Sequence, residues 1–368
     1  MEKDGQAVMY KRWLGGISGI SAAKKIALEE QVGGAKEIYY MNKSKLEKIK
    51  FLTQNECEIL EQYQKKNPKE EQEKQIEKGI SFVSFRQEEY PSRLRNIYQA
   101  PYGLFYRGRL PEEDKCAVAI VGARVCSEYG RNVAKQIGYV LGKMEVELIS
   151  GMAAGIDGAA QWGALRAQGK TYGILGCGVD VCYPKQNQDL YERIPQSGGI
   201  ISEYCPKTTP RPIFFPNRNR IISGMADIVL IVEARKKSGS LITADFALEQ
   251  GKEIYAVPGR VGDKLSEGTN RLIQQGAGIF TSVQEMLQNV KKLTVQDGNA
   301  AKKTGKTLEK LERLVYSCVD LTPRSLETLM ENTGLPLGEL ITILNTLREM
   351  GCISEVYKNY FVRTEIEV

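Results

Sequence analysis

Short apolar runs recur through the middle of the chain, each followed by a turn rich in glycine or small residues. Ala117–Val121, Val146–Ile149, Tyr172–Leu175, Gly199–Ser202, Ile228–Val232 and Ile254–Val257 have the length and unbroken hydrophobicity of strands buried on both faces. Helix-length segments separate them. One starts near Ser127, a second runs to Ala167, and Asn217–Ala226 and Leu241–Gln250 follow, the last closed by Gly251. Strand and helix in alternation predict an α/β fold built on a Rossmann-like, doubly wound, mostly parallel sheet. In such a sheet the turns after the strands share one edge, and ligands bind there.

The flanks read differently. Residues 1–78 predict a small helical domain. Within it Ile17-Ser18-Gly19-Ile20-Ser21 followed by Ala22, Ala23 and Ile26 resembles one helix-hairpin-helix unit, whose glycine turn offers amides to a phosphate; a plain helical hairpin closed by glycine fits equally. Glu61–Lys78 is almost wholly polar, a solvated helix face or a linker. The core spans 79–290, entered through Tyr90-Pro91 and the aromatic segment Ala100–Gly108, whose rings are read as covering a sheet edge. Residues 291–306 read as a linker. Residues 307–368 carry three helical segments and a hairpin across Lys358-Asn359, the pattern of a winged-helix domain. Its third helix presents Glu339, Thr342, Asn345, Arg348 and Glu349, which is not a basic face and favours packing or a protein contact over duplex reading.

Composition narrows the function classes. The chain has 368 residues, a net charge of +6 and no histidine. Without imidazole there is no Ser-His-Asp triad and no Cys-His pair, so the chain is read as a binding protein and not an enzyme. Eight cysteines are scattered without a CxxC pair, which suits free thiols in the cytoplasm and no metal site. No apolar run reaches membrane-spanning length. GxGxxG is absent. Gly305-Lys306-Thr307 ends like a phosphate-binding loop but lacks its first glycine and its preceding strand, and no cofactor is expected.

The chemistry concentrates between Phe214 and Gly259. Ser238-Gly239-Ser240 places hydroxyls and open amides where a strand has ended and a helix begins, and Arg218 and Arg220 lie on the preceding helix. That combination predicts a phosphate or polyanion at the carboxyl edge of the sheet.

The same stretch, F-P-x-R-N-R-I-I-S-G, then V-E-A-x-x-x-S-G-S-L-I-T-A, then A-V-P-G, resembles the DNA-processing protein A family (DprA, also called Smf). Upstream, Val121-Gly122-Ala123-Arg124, Ser150-Gly151 with Gly155-Ile156-Asp157, Gly178-Val179-Asp180 with Tyr183-Pro184-Lys185 and Asn187, and Ser202-Glu203 extend the resemblance over Gly79–Phe280. It implies a homodimer that binds single-stranded DNA without regard to sequence and loads RecA recombinase in natural transformation. Carried over position by position, Arg124, Lys185, Arg218 and Arg220 would form the basic pocket. Gly122, Gly151, Gly178, Asn187, Asn219, Ser238, Gly239 and Ser240 would supply amides and short polar groups. Arg218 and Arg220 have a second reading, structural ion pairs with Asp227 or Glu233. Asp157, Asp180 and Glu203 are read as scaffold acids. The helices Leu241–Gln250 and Asn270–Gln275 are candidate dimer elements. Gln161 stands where the family usually has histidine and cannot titrate near neutrality. The rival reading is a nucleotide-binding or phosphoribohydrolase-like enzyme on a related sheet; its P-G-G-x-G-T-x-x-E loop would fall at Ser238–Ala244, where the glutamate is missing.

Overall fold

The computed structural model describes residues 2–288, 310–320 and 322–363. The expected linker 291–306, with the Gly305-Lys306-Thr307 run at its end, lies outside the described residues. The core is one sheet of nine strands: β1 (Ser81–Ser84), β2 (Gly103–Gly108), β3 (Ala117–Val121), β4 (Glu147–Ser150), β5 (Thr171–Ile174), β6 (Gly199–Ser202), β7 (Ile228–Ile231), β8 (Glu253–Ala256) and β9 (Gly278–Ile279). Their order across the sheet is β1-β2-β6-β5-β4-β3-β7-β8-β9. From β6 to β9 all neighbours run parallel. The fold is Rossmann-like and doubly wound: from β3 the chain builds outward through β4, β5 and β6, then returns to the other side of β3 with β7, β8 and β9. The direction of winding therefore switches between β3 and β7.

The unbroken apolar runs are explained by two-sided burial. In β3 and β7, Ala117, Ala119, Val121, Val229 and Ile231 enter the hydrophobic layer on one face. Val118, Ile120, Ile228 and Leu230 enter the layer on the other. Burying such side chains stabilises by roughly 1.5–3 kcal/mol each. The aromatic lead-in is placed more deeply than a sheet edge: β2 pairs antiparallel with both β1 and β6, so Phe105 is buried inside the sheet. The period of Gly103–Gly108 is right for a strand, but its neighbours are set by long-range pairing.

Two helices, Glu128–Lys143 and Ile156–Arg166, meet backbone to backbone. A Cβ at Gly138 would stand 2.0 Å from the Ala160 carbonyl oxygen, and one at Gly163 would stand 1.9 Å from that of Lys135. The first of these helices is held at its start by Ser127, whose hydroxyl accepts from the Gly130 amide (2.9 Å) and donates to Glu233. A side chain at Gly130 would collide with that carboxylate.

Six helices between Glu2 and Glu77 precede the sheet. Glu61–Lys78 is mostly helical: Asn67 caps the Lys69 amide and Pro68 opens an exposed helix to Glu77. The N-terminal apolar residues do not form a separate core. Trp13, Leu14, Leu28 and Leu60 share one cluster with Phe82, Tyr102, Phe105 and Met152 of the sheet region. Polar contacts cross the same seam. Arg12 donates to the Ile80 carbonyl (2.9 Å), and the Tyr102 hydroxyl donates to Glu29 (2.9 Å).

At the other end, the helices Lys310–Cys318, Leu326–Thr333 and Leu337–Glu349 surround their own apolar cluster. They carry a small sheet of β10 (Arg324–Ser325), β11 (Ile353–Tyr357) and β12 (Tyr360–Arg363) in the order β10-β12-β11. The side chains of Glu339, Thr342, Asn345, Arg348 and Glu349 all face solvent, and Arg348 pairs with Glu355 at 3.1 Å. Among the described residues no helix is long and apolar enough to cross a membrane.

Lys25 gives this packing a pH signature. Its ammonium is buried and donates to the Gly15 (3.0 Å) and Ile17 (2.6 Å) carbonyls at the end of the first helix. Burial lowers it to about 8 from 10.5, opposed by Cys205 and Glu203. Between those values the unfolded chain holds the proton that the folded chain has shed, so this group's contribution to stability rises with pH. Urea unfolding of wild type and Lys25→Met should therefore show wild type gaining about 1–3 kcal/mol relative to the variant from about pH 7 to about pH 10.

Candidate nucleic-acid interface

A pocket of about 540 Å³ opens at the carboxyl ends of the neighbouring strands β3 and β7. One wall is the loop after β3, Gly122-Ala123-Arg124; the opposite wall is the loop after β7, Arg235 to Ser240. The helix Phe214–Met225 crosses between them and contributes Phe215, Arg218 and Asn219. It begins one turn earlier than the apolar pattern suggests, because Pro216 falls in the first turn, where no amide donor is required.

The hydroxyl turn folds as a cap. Ser238 precedes the helix Gly239–Glu249, its oxygen accepts from the Ser240 amide at 3.4 Å, and the two hydroxyls lie 2.8 Å apart. Asn219 ties this turn to the crossing helix by donating to the Gly239 carbonyl (3.2 Å). Two helix N-termini thus border the pocket, and their dipoles favour an anion there.

Below the opening two buried charges, Asp157 and Arg218, each bond to backbone groups of the loops around Gly151. Asp157 accepts from the amides of Gly122 (3.3 Å) and Gly151 (3.0 Å). Arg218 donates to the carbonyls of Gly151 (2.8 Å) and Ile174. Burial pushes the Asp157 carboxyl up, opposed by Arg218 and by the amides. Burial also lowers the Arg218 guanidinium to about 10, opposed by Asp157. Gly151 sits between the two: a Cβ there would be 2.7 Å from the Asp157 carboxylate and 2.8 Å from the guanidinium. Arg218 is 4% exposed, lines the pocket, and has no hydrogen-bond partner for Nε among the described residues.

The rim is cationic and aromatic. Arg124, Arg235 and Lys237 are exposed and line the opening. Arg124 lies over the Phe215 ring at 5.2 Å, and Tyr183 packs on that ring with centroids 5.3 Å apart. Asp157 is the only carboxylate among the lining residues, against four cations. Arginine forks, lysine charge, amides and ring faces together suit a phosphodiester strand with unstacked bases.

Residues 81–291 match the family model described as DNA recombination-mediator protein A. The chain belongs to that family. The DNA processing protein DprA of Streptococcus pneumoniae is 44% identical over 216 residues, covering 58% of this chain and 75% of that protein. Protein Smf of Synechocystis is 30% identical over 336 residues, covering 82% and 81%. The X-ray structure of the Streptococcus pneumoniae protein superposes with a TM-score of 0.65 at 34% identity, over 76% of this chain and 96% of that one. A Helicobacter pylori DNA processing protein A structure, described for its single-stranded DNA binding mode, gives 0.51 at 29% identity, over 57% and 94%.

The family's motif residues are not all gathered in one place. Gly122, Arg124, Arg218, Asn219 and the Ser238-Gly239-Ser240 turn line the pocket. Gly151 lies beneath it. Asn187 stands behind, donating to the Met152 (2.9 Å) and Ala153 (3.2 Å) carbonyls and so holding the loop after β4. Lys185 is exposed two residues past Tyr183 but outside the lining. Gly178 packs against the Cys205–Lys207 loop, and a Cβ there would be 2.8 Å from its backbone. Arg220 faces away: buried, it forks onto Glu203 with two 2.7 Å bonds and donates to the Gln99 carbonyl (3.0 Å). Glu203, not Asp227 or Glu233, is its partner. Asp227 instead takes Arg93 (2.9 Å), and Glu233 takes Ser127. Asp180 accepts from the Lys207 amide (2.6 Å), so the three expected scaffold acids hold three different loops.

Gln161 is fully buried beside β5 and donates to the Tyr172 carbonyl (3.1 Å), away from the pocket. Phe215, Tyr183, Arg235 and Lys237 are the charged and aromatic lining residues that sequence reasoning left out of the site. The run Arg235-Lys236-Lys237 directly before the Ser-Gly-Ser turn was the available signal.

Burial separates the arginines of this family motif by role. Arg218→Ala removes the charge facing Asp157 and two carbonyl partners, and should destabilise by about 3–5 kcal/mol. Arg124→Ala, at an exposed site, should stay within about 0.5 kcal/mol of wild type. Urea unfolding of both variants measures the difference.

Proposed function

We propose that the switch-point pocket binds single-stranded DNA without regard to base sequence. The observation that carries this reading is the excess of cations over Asp157 at the junction of two helix N-termini. Arg124, Arg235 and Lys237 neutralise phosphates. Lys185 extends the charged rim, and the amides around Gly122 and Ser238–Ser240 take phosphate oxygens. Phe215 and Tyr183 offer ring faces to bases, which a duplex keeps stacked inside. Arg220 and Gly178 serve by holding the loops in place.

Family membership and the DNA-binding Helicobacter pylori relative support the wider role, DNA processing in transformation and recombination. Family membership is also what supports delivery of the strand to RecA recombinase, the assignment as a binding protein and not an enzyme, and pairing as a homodimer. Leu248, 73% exposed on the helix Gly239–Glu249, supports that helix as part of the dimer contact. The C-terminal helices and three-stranded sheet are read as a winged helix that acts by packing or protein contact, since Glu339 and Glu349 make its third helix unsuited to a phosphate backbone. Eight free cysteines support a reducing, cytoplasmic setting.

Fluorescence anisotropy with labelled oligo-dT and a matched duplex across a salt series tests the binding. Wild type should prefer the single strand. The Arg124→Ala/Lys237→Ala variant should bind more weakly, and its log–log salt slope should fall by about 1.4, roughly 0.7 for each lost phosphate contact. Equal binding by variant and wild type would remove the pocket from the reading. Tight binding of a mononucleotide that a longer strand does not improve would move it to the nucleotide-binding alternative.

A further inference from the structure

Two more cavities lie along the seam between the N-terminal helices and the sheet. The nearer, about 370 Å³, is walled by Tyr204, Arg211 and Phe214 on the sheet side and by the Gly16–Ile20 turn and Lys25 on the other. Tyr204 and Phe214 stack with centroids 4.3 Å apart and planes at 30°, and the Arg211 guanidinium lies 5.9 Å from the Phe214 ring. Ser18 and Gly19 are exposed in the turn, with Gly19 at φ +90, and Ser21 caps the helix that follows.

The farther cavity, about 540 Å³, shares Gly16, Ser18, Cys205 and Thr208 with the nearer one. It adds exposed Lys66 and Lys207, and Arg12, which is 6% exposed and has no partner for Nε among the described residues. Continuity with the switch-point pocket runs through consecutive residues: Pro212 and Phe215 line that pocket, while Arg211 and Phe214 line the seam.

We propose that a bound single strand continues from the switch-point pocket over the Phe214–Phe215 ridge and along this seam. Bases lie against Tyr204 and Phe214, and phosphates meet Arg211, Lys66, Lys207 and the amides of the Ser18-Gly19 turn. This rests on the reading of the switch-point pocket as a single-strand site. The N-terminal helices then form half of the DNA track.

Rings and cations in alternation suit a strand whose bases are unpaired. The charge balance agrees. Glu203 is taken by Arg220 at 2.7 Å, and Asp180 is taken by Lys78 at 3.7 Å and by the Lys207 amide. Glu71 and Glu77 are the remaining acids of the farther cavity. An acidic peptide would use the cations but leave the stacked rings and the amide turn idle.

The test is anisotropy with oligo-dT of about 5 and about 25 nucleotides. It uses the full chain as wild type, as Lys66→Ala/Arg211→Ala and as Arg124→Ala/Lys237→Ala, with thermal midpoints matched. The seam variant should weaken the long strand about tenfold, with a salt slope lower by about 1.4, and leave the short strand within about twofold. The pocket variant should weaken both. Photocrosslinking of an iodouridine-substituted long strand should mark Tyr204 or Phe214. The inference is overturned if the seam variant binds the long strand like wild type, if it loses both lengths equally, or if wild-type affinity does not grow with length. A pocket variant that loses nothing at either length would show instead that the switch-point reading itself has failed, and the track fails with it.

Discussion

The buried arrangement of Arg218, Asp157 and Gly151 is the constraint on which the site depends. A guanidinium that is 4% exposed is tolerated because it faces a carboxylate and donates to two carbonyls. The carboxylate is tolerated because amides from the loops after β3 and β4 point at it. Each charge thus answers the desolvation of the other, and in doing so the pair ties β3, β4, β5 and the crossing helix Phe214–Met225 at one point. With the loops held, the exposed groups above need only be basic or flat. Arg124, Arg235 and Lys237 make no ion pair among the described residues, while Arg218 and Arg220 are largely committed to the scaffold.

The second organising feature is the shared core at the N-terminal seam. Leu14, Leu28 and Leu60 of the N-terminal helices are buried in one cluster with Phe82, Tyr102 and Phe105. That contact fixes the Ser18-Gly19 turn opposite the Tyr204–Phe214 stack and leaves open the cavities between. The adjacent rings of Phe214 and Phe215 point into neighbouring cavities because successive residues on a helix diverge by about 100°. One turn of helix therefore joins the two parts of the surface.

Much of the fold was legible because it follows from local rules. Strands buried on both faces must be apolar throughout, so β3 and β7 announced themselves, and the hydroxyl turn Ser238–Ser240 marked the approach to a helix. The four-residue strand β1 was not legible, since Ser81–Ser84 acquires its character by pairing with β2. In the site, the Ser-Gly-Ser turn was legible from type and position, and Gly122 and Arg124 through the family resemblance. Arg220 was not separable from Arg218 by sequence, because two residues apart on a helix is roughly opposite faces, and only the packing says which face meets the pocket. Tyr183 and Phe215 were hidden for a related reason: an aromatic looks the same in sequence whether it fills a core or floors a groove.

By itself, then, the sequence determined the alternating architecture, the edge of the sheet where the turns gather, and the family to which the chain belongs. Those properties are written in local periodicity, capping and ordered motifs. Tertiary structure alone decided which cations remain free, which acid pairs with which base, and how the N-terminal helices meet the sheet. Each of these depends on burial and on distances between segments far apart in the chain, such as the 2.7 Å between Arg220 and Glu203, and no local pattern encodes them.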